Sequence, residues 1–147
     1  MIRFWDTSAL VKIYSPTEVG HRDALELLHG RQARAARHTT SMIAAVELVS
    51  ALVRRTGDRT LASAAMRQLE AFSQVEFTAQ HRDTAVRLGL SGIARGADTA
   101  IAAQVLMVAA ASTSHTEFLT ADAAQARLVR IETKARKLDL ALVELPA

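Results

Sequence analysis

The apolar positions of this chain fall into short runs and longer stripes that alternate along its length. Ile2 to Trp5 is a short run with two aromatics, which predicts a buried strand. Asp6-Thr7-Ser8 ends it and offers N-caps for a short helix over Ala9 to Tyr14. After the break at Ser15-Pro16-Thr17, Glu18 to His29 spaces Val19, Ala24, Leu25, Leu27 and Leu28 as one helical face, which Gly30 closes. Arg37 to Thr40 reads as a second strand, unusually polar for one. Ser41 then caps a strongly apolar helix, Met42 to Arg55, which ends at Gly57-Asp58. Arg59 to Phe72 predicts another helix, and Val75-Glu76-Phe77 alternates like a short strand. Gln80 to Leu90 predicts a helix, Gly92 to Gly96 a turn, and Asp98 opens a long apolar helix to Ala111. Phe118 to Thr120 is a strand, Ala123 to Ile131 a helix and Leu140 to Leu145 a closing strand.

Strands alternate with helices throughout, so the chain is expected to form an α/β domain with a mainly parallel sheet covered on both faces. Its 147 residues, 50% of them apolar, suit one domain spanning 1–147 with one core. Phe4 and Trp5 belong in that core rather than on a base-stacking surface. No apolar run reaches the roughly 18 residues of a membrane span, so no membrane association is expected. The N-terminus lacks a signal-peptide layout, because an acid follows the first apolar residues. Cysteine is absent, which excludes disulfides, thiolate metal sites and cysteine nucleophiles and fits a cytoplasmic location.

The formal charge is +3, and lysine occurs only at Lys12, Lys134 and Lys137. Arginine carries nearly all the positive charge, and its planar fork matches phosphate, which leans toward a nucleic-acid partner. An arginine bias from a GC-rich genome explains the same excess, and the alanine-rich composition fits that too. Charge alone therefore decides little.

Among the 15 acids, four stand in unusual places. Asp6 follows the first strand directly, at the strand end where α/β sheets form their ligand crevice. Asp122 follows another strand, and Asp98 begins the most apolar helix. Each of these three is also an ordinary N-cap. Glu47 differs: Met42 to Val53 holds only Glu47 and Ser50 as polar residues. A carboxylate in apolar surroundings needs a cation or strong donors, or it neutralises. Points of this kind can converge on one sheet edge, where several carboxylates repel one another unless a cation holds them. Oxygen-rich sites suit Mg²⁺ or Mn²⁺, one ion or two, which activate water and stabilise charge on a phosphodiester. Arg54, Arg55 and Arg95 lie close in sequence to these segments. They could grip phosphate, although solvated helix ends are the better explanation.

The blocks Asp6-Thr7-Ser8-Ala9-Leu10, Glu47 in its apolar helix, Gly96-Ala97-Asp98-Thr99-Ala100-Ile101-Ala102 and Phe118-Leu119-Thr120-Ala121-Asp122 together resemble the PIN-domain nucleases. Their order and the chain length resemble the VapC-type toxins of bacterial toxin–antitoxin pairs. The resemblance implies a three-layer α/β/α sandwich and a Mg²⁺- or Mn²⁺-dependent endoribonuclease. It implies an acidic pocket of Asp6, Glu47, Asp98 and Asp122 that holds the metal, with Ser8 and Thr120 as supporting hydroxyls. It also implies a homodimer, an RNA substrate and a small antitoxin whose tail blocks the site. Three features depart from the pattern. Thr99 stands where a small or apolar residue often follows the third acid, Asp122 leads to Ala-Ala-Gln rather than to the common aromatic, and the second strand is polar.

Other readings fit less well. Haloacid-dehalogenase-type phosphatases need a second Asp where Ser8 stands, receiver domains need adjacent early acids, and no glycine-rich phosphate loop is present. The five histidines lack metal-ligand spacing and read as surface or partly buried residues. The non-enzymatic alternative is a PIN-like domain that binds RNA or protein without chemistry. It predicts that an acid has been lost, and all four are present.

Overall fold

A computed structural model describes residues 1–147. Five strands form one parallel sheet: β1 (Ile2–Trp5), β2 (Arg37–Ser41), β3 (Ser73–Val75), β4 (Thr116–Thr120) and β5 (Leu140–Glu144). Their spatial order is β3-β2-β1-β4-β5. Helices α1 (Thr7–Tyr14), α2 (His21–His29), α3 (Met42–Thr56) and α4 (Arg59–Leu69) connect β1 to β2 and β2 to β3. Helices α5 (Ala79–Gly89) and α6 (Gly96–Ala111) carry the chain back over the sheet to β4, and α7 (Ala123–Arg136) leads to β5. Parallel crossovers are right-handed, so the reversal of direction after β3 sends α5 to α7 to the face opposite α1 to α4. The contacts of α1 with α2 and α3, and of α6 with α5 and α7, agree. The result is the expected three-layer α/β/α sandwich.

The central strands are buried on both faces, which is why β1 lacks alternation. Phe4 and Phe118 face each other in register with ring centroids 6.1 Å apart. Phe4 and Trp5 are fully buried in the core, as read from the sequence. Arg3 is buried as well. Its guanidinium bonds Glu117 at 2.7 Å and the Leu27 carbonyl at 2.6 Å, so the charge enters the core with partners. The polar second strand also has an explanation. Thr40 Oγ1 donates to the Trp5 carbonyl at 2.8 Å, and Ser41 caps α3 by accepting from the Ile43 N–H. His38 Nδ1 accepts from the Trp5 indole at 3.0 Å, and burial holds its pKa below the ordinary histidine value.

Several boundaries differ from the sequence reading. The second helix begins at His21 rather than Glu18, because Gly20 takes a left-handed turn at φ 85°. The third strand pairs through Ser73–Val75 instead of Val75–Phe77: residues 73–75 lie alongside Thr39–Ser41, and Phe77 is already past the sheet. The fourth helix stops at Leu69, and α7 runs to Arg136, where Lys137 adopts φ 54° and ends it. His81 is more buried than expected, since its ring accepts from the Thr78 N–H in a capping box.

Candidate active site

In the strand order, β1 and β4 are neighbours whose following connections leave in opposite directions. Such a switch point opens a crevice at the carboxyl ends of the strands. Asp6 stands just past β1 and Asp122 just past β4, so both sit on its rim.

The N-cap readings of these two hold. Asp6 Oδ2 accepts from the Ser8 N–H at 3.1 Å, and Asp122 Oδ1 accepts from the Gln125 N–H at 2.8 Å. The N-cap reading of Asp98 does not. Arg95 occupies that position without a side-chain bond, the helix begins at Gly96, and Asp98 lies within its first turn. There its carboxylate meets the positive end of the helix dipole rather than a single amide. Glu47 is half-buried on α3 and accepts from Thr7 Oγ1 at 2.9 Å, which draws α3 to the start of α1.

Two hydroxyls and one amide organise the floor. Ser8 Oγ donates to Asp6 Oδ2 at 2.6 Å and accepts from the Ala121 N–H at 2.8 Å, so it links the β1 end to the β4 end. Thr120 Oγ1 is fully buried, lies 3.2 Å from both Asp6 Oδ2 and Ser8 Oγ, and accepts from the Asp122 N–H at 3.0 Å. Its hydroxyl also reaches Gln125 Oε1 at 2.9 Å. Gln125 Nε2 in turn donates to Asp6 Oδ1 at 3.3 Å and to the Asp98 carbonyl at 3.1 Å. Thr7 and Gln125 were not picked out as site residues from the sequence. Thr7 reads as a helix-start hydroxyl among several, and Gln125 as a departure from a pattern.

The electrostatics show that the acids share one space. Burial pushes the Asp6 carboxyl above its usual range, against the opposing pull of its bonds to Ser8 and Gln125. Asp98 is raised to about 6, first by burial and then by the like charges of Asp6, Asp122 and Glu47, with Arg95 pulling the other way. Asp6, Asp122 and Glu47 therefore all act on Asp98 at this rim. Of the three arginines, Arg95 is exposed beside Asp98. Arg54 is exposed near the end of α3, and Arg55 there is paired with Glu18.

Solved structures share this fold. A VapBC2 structure from Rickettsia felis, bound to a DNA fragment of its promoter, is 18% identical with a TM-score of 0.62, covering 99% of each chain. The Mycobacterium tuberculosis toxin VapC20, described as cleaving the sarcin–ricin loop, is 20% identical with a TM-score of 0.62 over 72% of this chain and 82% of that one. VapBC-1 from nontypeable Haemophilus influenzae is 14% identical with a TM-score of 0.62, covering 98% of each. No curated protein matches the chain. The family model described as PIN domain matches residues 3–131, a span that takes in β1 to β4 and every acid at the crevice rim; the chain belongs to the PIN domain family.

Proposed function

We propose that this chain is a metal-dependent endoribonuclease and acts as the toxin of a toxin–antitoxin pair. One observation carries the reading: Asp6, Glu47 and Asp122 lie near enough to the partly buried Asp98 that their like charges add to burial in raising its carboxyl to about 6. Carboxylates so placed disfavour one another unless positive charge enters, and a perturbed acid in a crevice is a candidate for chemistry. The fold neighbours include VapBC structures, a toxin–antitoxin complex from Klebsiella pneumoniae and a toxin described as cleaving the sarcin–ricin loop, which supports an RNA substrate and a small antitoxin partner.

The donor set is all hard oxygen, which fits Mg²⁺ or Mn²⁺. As the side chains lie, no three of them close on a common point, so the acids surround the crevice rather than form a finished ligand shell. Asp6, Glu47, Asp98 and Asp122 would hold one or two ions, which supply charge neutralisation at the phosphodiester and activation of water. The chain itself fixes the geometry. Ser8 and Gln125 hold the Asp6 carboxylate from both oxygens, Thr7 orients Glu47, and Arg95 offers its guanidinium to the incoming phosphate. Arg54 and Arg55 stand farther along α3 as contacts for flanking phosphates, and Arg55 must first release Glu18. We further assign the protein a homodimeric state. No helix is long and apolar enough to cross a membrane.

The test is cleavage of an end-labelled RNA by wild type and Asp98→Asn, with Mn²⁺ and with EDTA. Wild type cuts only with Mn²⁺, and the folded variant does not cut. Equal cleavage by the variant refutes the assignment. Metal-independent binding of RNA without any cutting by the wild type would make it a binding domain instead.

A further inference from the structure

We propose that Gln125 is a positioning residue of the acidic site: its buried amide sets the Asp6 carboxylate and ties the start of α6, which carries Asp98, to the end of β1. The proposal rests on the reading of this cluster as the active site.

Gln125 touches three of the four acids. Its N–H reaches Asp122 Oδ1 at 2.8 Å, while its Nε2 reaches Asp6 Oδ1 at 3.3 Å and the backbone carbonyl of Asp98 at 3.1 Å. Its Oε1 accepts from Thr120 Oγ1 at 2.9 Å, and the residue has no solvent exposure. A side-chain amide has two N–H donors, and both are used here. The partners also fix which end is which. Turning the amide over would set Oε1 against the Asp6 carboxylate and the Asp98 carbonyl, two acceptors facing an acceptor.

No apolar residue at this position could do the same. An aromatic ring there fills space but leaves Asp6 Oδ1 without this donor and cuts the side-chain tie to the Asp98 carbonyl of α6. A glutamate adds a fifth negative charge and removes the donors. The Asp6 carboxylate, almost wholly buried, is thus oriented from both oxygens: Ser8 on Oδ2 and Gln125 on Oδ1. Groups that hold ligands in this way typically matter to metal affinity by about 10- to 100-fold.

A second buried glutamine supplies the control. Gln104 is also fully buried, donates to the Val75 carbonyl at 3.0 Å and touches none of the acids. We would compare Gln125→Met with Gln104→Met, both near-isosteric, and with the milder Gln125→Asn in case the first fails to fold. Three readouts are taken on the folded proteins: Mn²⁺ affinity by calorimetry, kcat and KM on an RNA oligonucleotide, and amide exchange at residues 99–102.

Gln125→Met is expected to weaken Mn²⁺ by about tenfold or more. It should lower kcat with KM little changed and speed exchange at the start of α6. Gln104→Met lowers the melting temperature alone. Wild-type Mn²⁺ affinity, kcat and exchange in the Gln125 variants would overturn the proposal. A wild type that neither binds Mn²⁺ nor cuts RNA would instead sink the active-site reading, and the exchange at residues 99–102 would still decide whether Gln125 anchors α6.

Discussion

Asp6 does two things with one carboxylate. It caps α1 through the Ser8 N–H, and it presents the same group to the crevice. Replacing it with Asn keeps a capping oxygen but removes the charge, so we expect Asp6→Asn to fold and to lose cleavage, as circular dichroism and RNA assays would show together. Asp98 offers a sharper test, because its carboxyl is raised to about 6. An acid with a higher pKa folded than unfolded keeps its proton longer in the folded state. Its contribution to stability is therefore greatest at low pH and is withdrawn as pH rises from about 4 through 6. Asp98→Asn should raise the melting temperature of the protein in EDTA at pH 7.5 by about 1–3 °C, the modest size reflecting a half-exposed group. The gain should vanish near pH 4. A gain that is independent of pH would show that repulsion among the acids is not its source.

At the level of elements, Asp122 separates capping from charge. Asn caps as well as Asp, and Ala does not. Asp122→Ala should cost about 1 kcal/mol in denaturant melts and Asp122→Asn close to nothing, while both lose cleavage if the acid is functional. In β2, Thr40→Val keeps the shape but removes the bond to the Trp5 carbonyl, and we expect a loss of about 1 kcal/mol by the same measurement. These cases show what the sequence could and could not convey. Alternation of strands with helices was legible because each element carries its own period, and the acids stood out because they interrupt it. The polar β2 was not explicable in advance, since its reason lies in Trp5, a residue 35 positions away in the chain. The position of β3 was misread because alternation at Val75-Glu76-Phe77 reports exposure, whereas pairing is decided by where the neighbouring strand ends. Asp98 looked like a cap because capping is local, and only the observed start of α6 at Gly96 removed that reading. Gln125 appeared as an irregularity, because its partners come from the end of β1, the start of α6 and the end of β4.

Across the whole molecule, the net charge of +3 coexists with an acidic crevice. Arginines outside the crevice must then supply most of the attraction to a polyanion. RNA affinity of the cleavage-deficient Asp98→Asn protein should fall steeply between 50 and 200 mM salt, at least about tenfold by fluorescence anisotropy; a flat salt response would remove phosphate contacts from the account. The sheet order has a consequence for how the molecule comes into being. Thr120 is 114 positions from Asp6, and Gln125 is 119 positions from it, yet the Thr120 hydroxyl lies 3.2 Å from the Asp6 carboxylate and the Gln125 amide donates to it. Parallel pairing between segments so far apart in the chain forms slowly compared with local contacts. While the chain is being made, β1 can pair with β2 early, but its other edge waits until β4 has left the ribosome. The acids are therefore gathered only at the end of synthesis, and a fragment that stops short of β4 lacks both Asp122 and the strand that sets it beside Asp6.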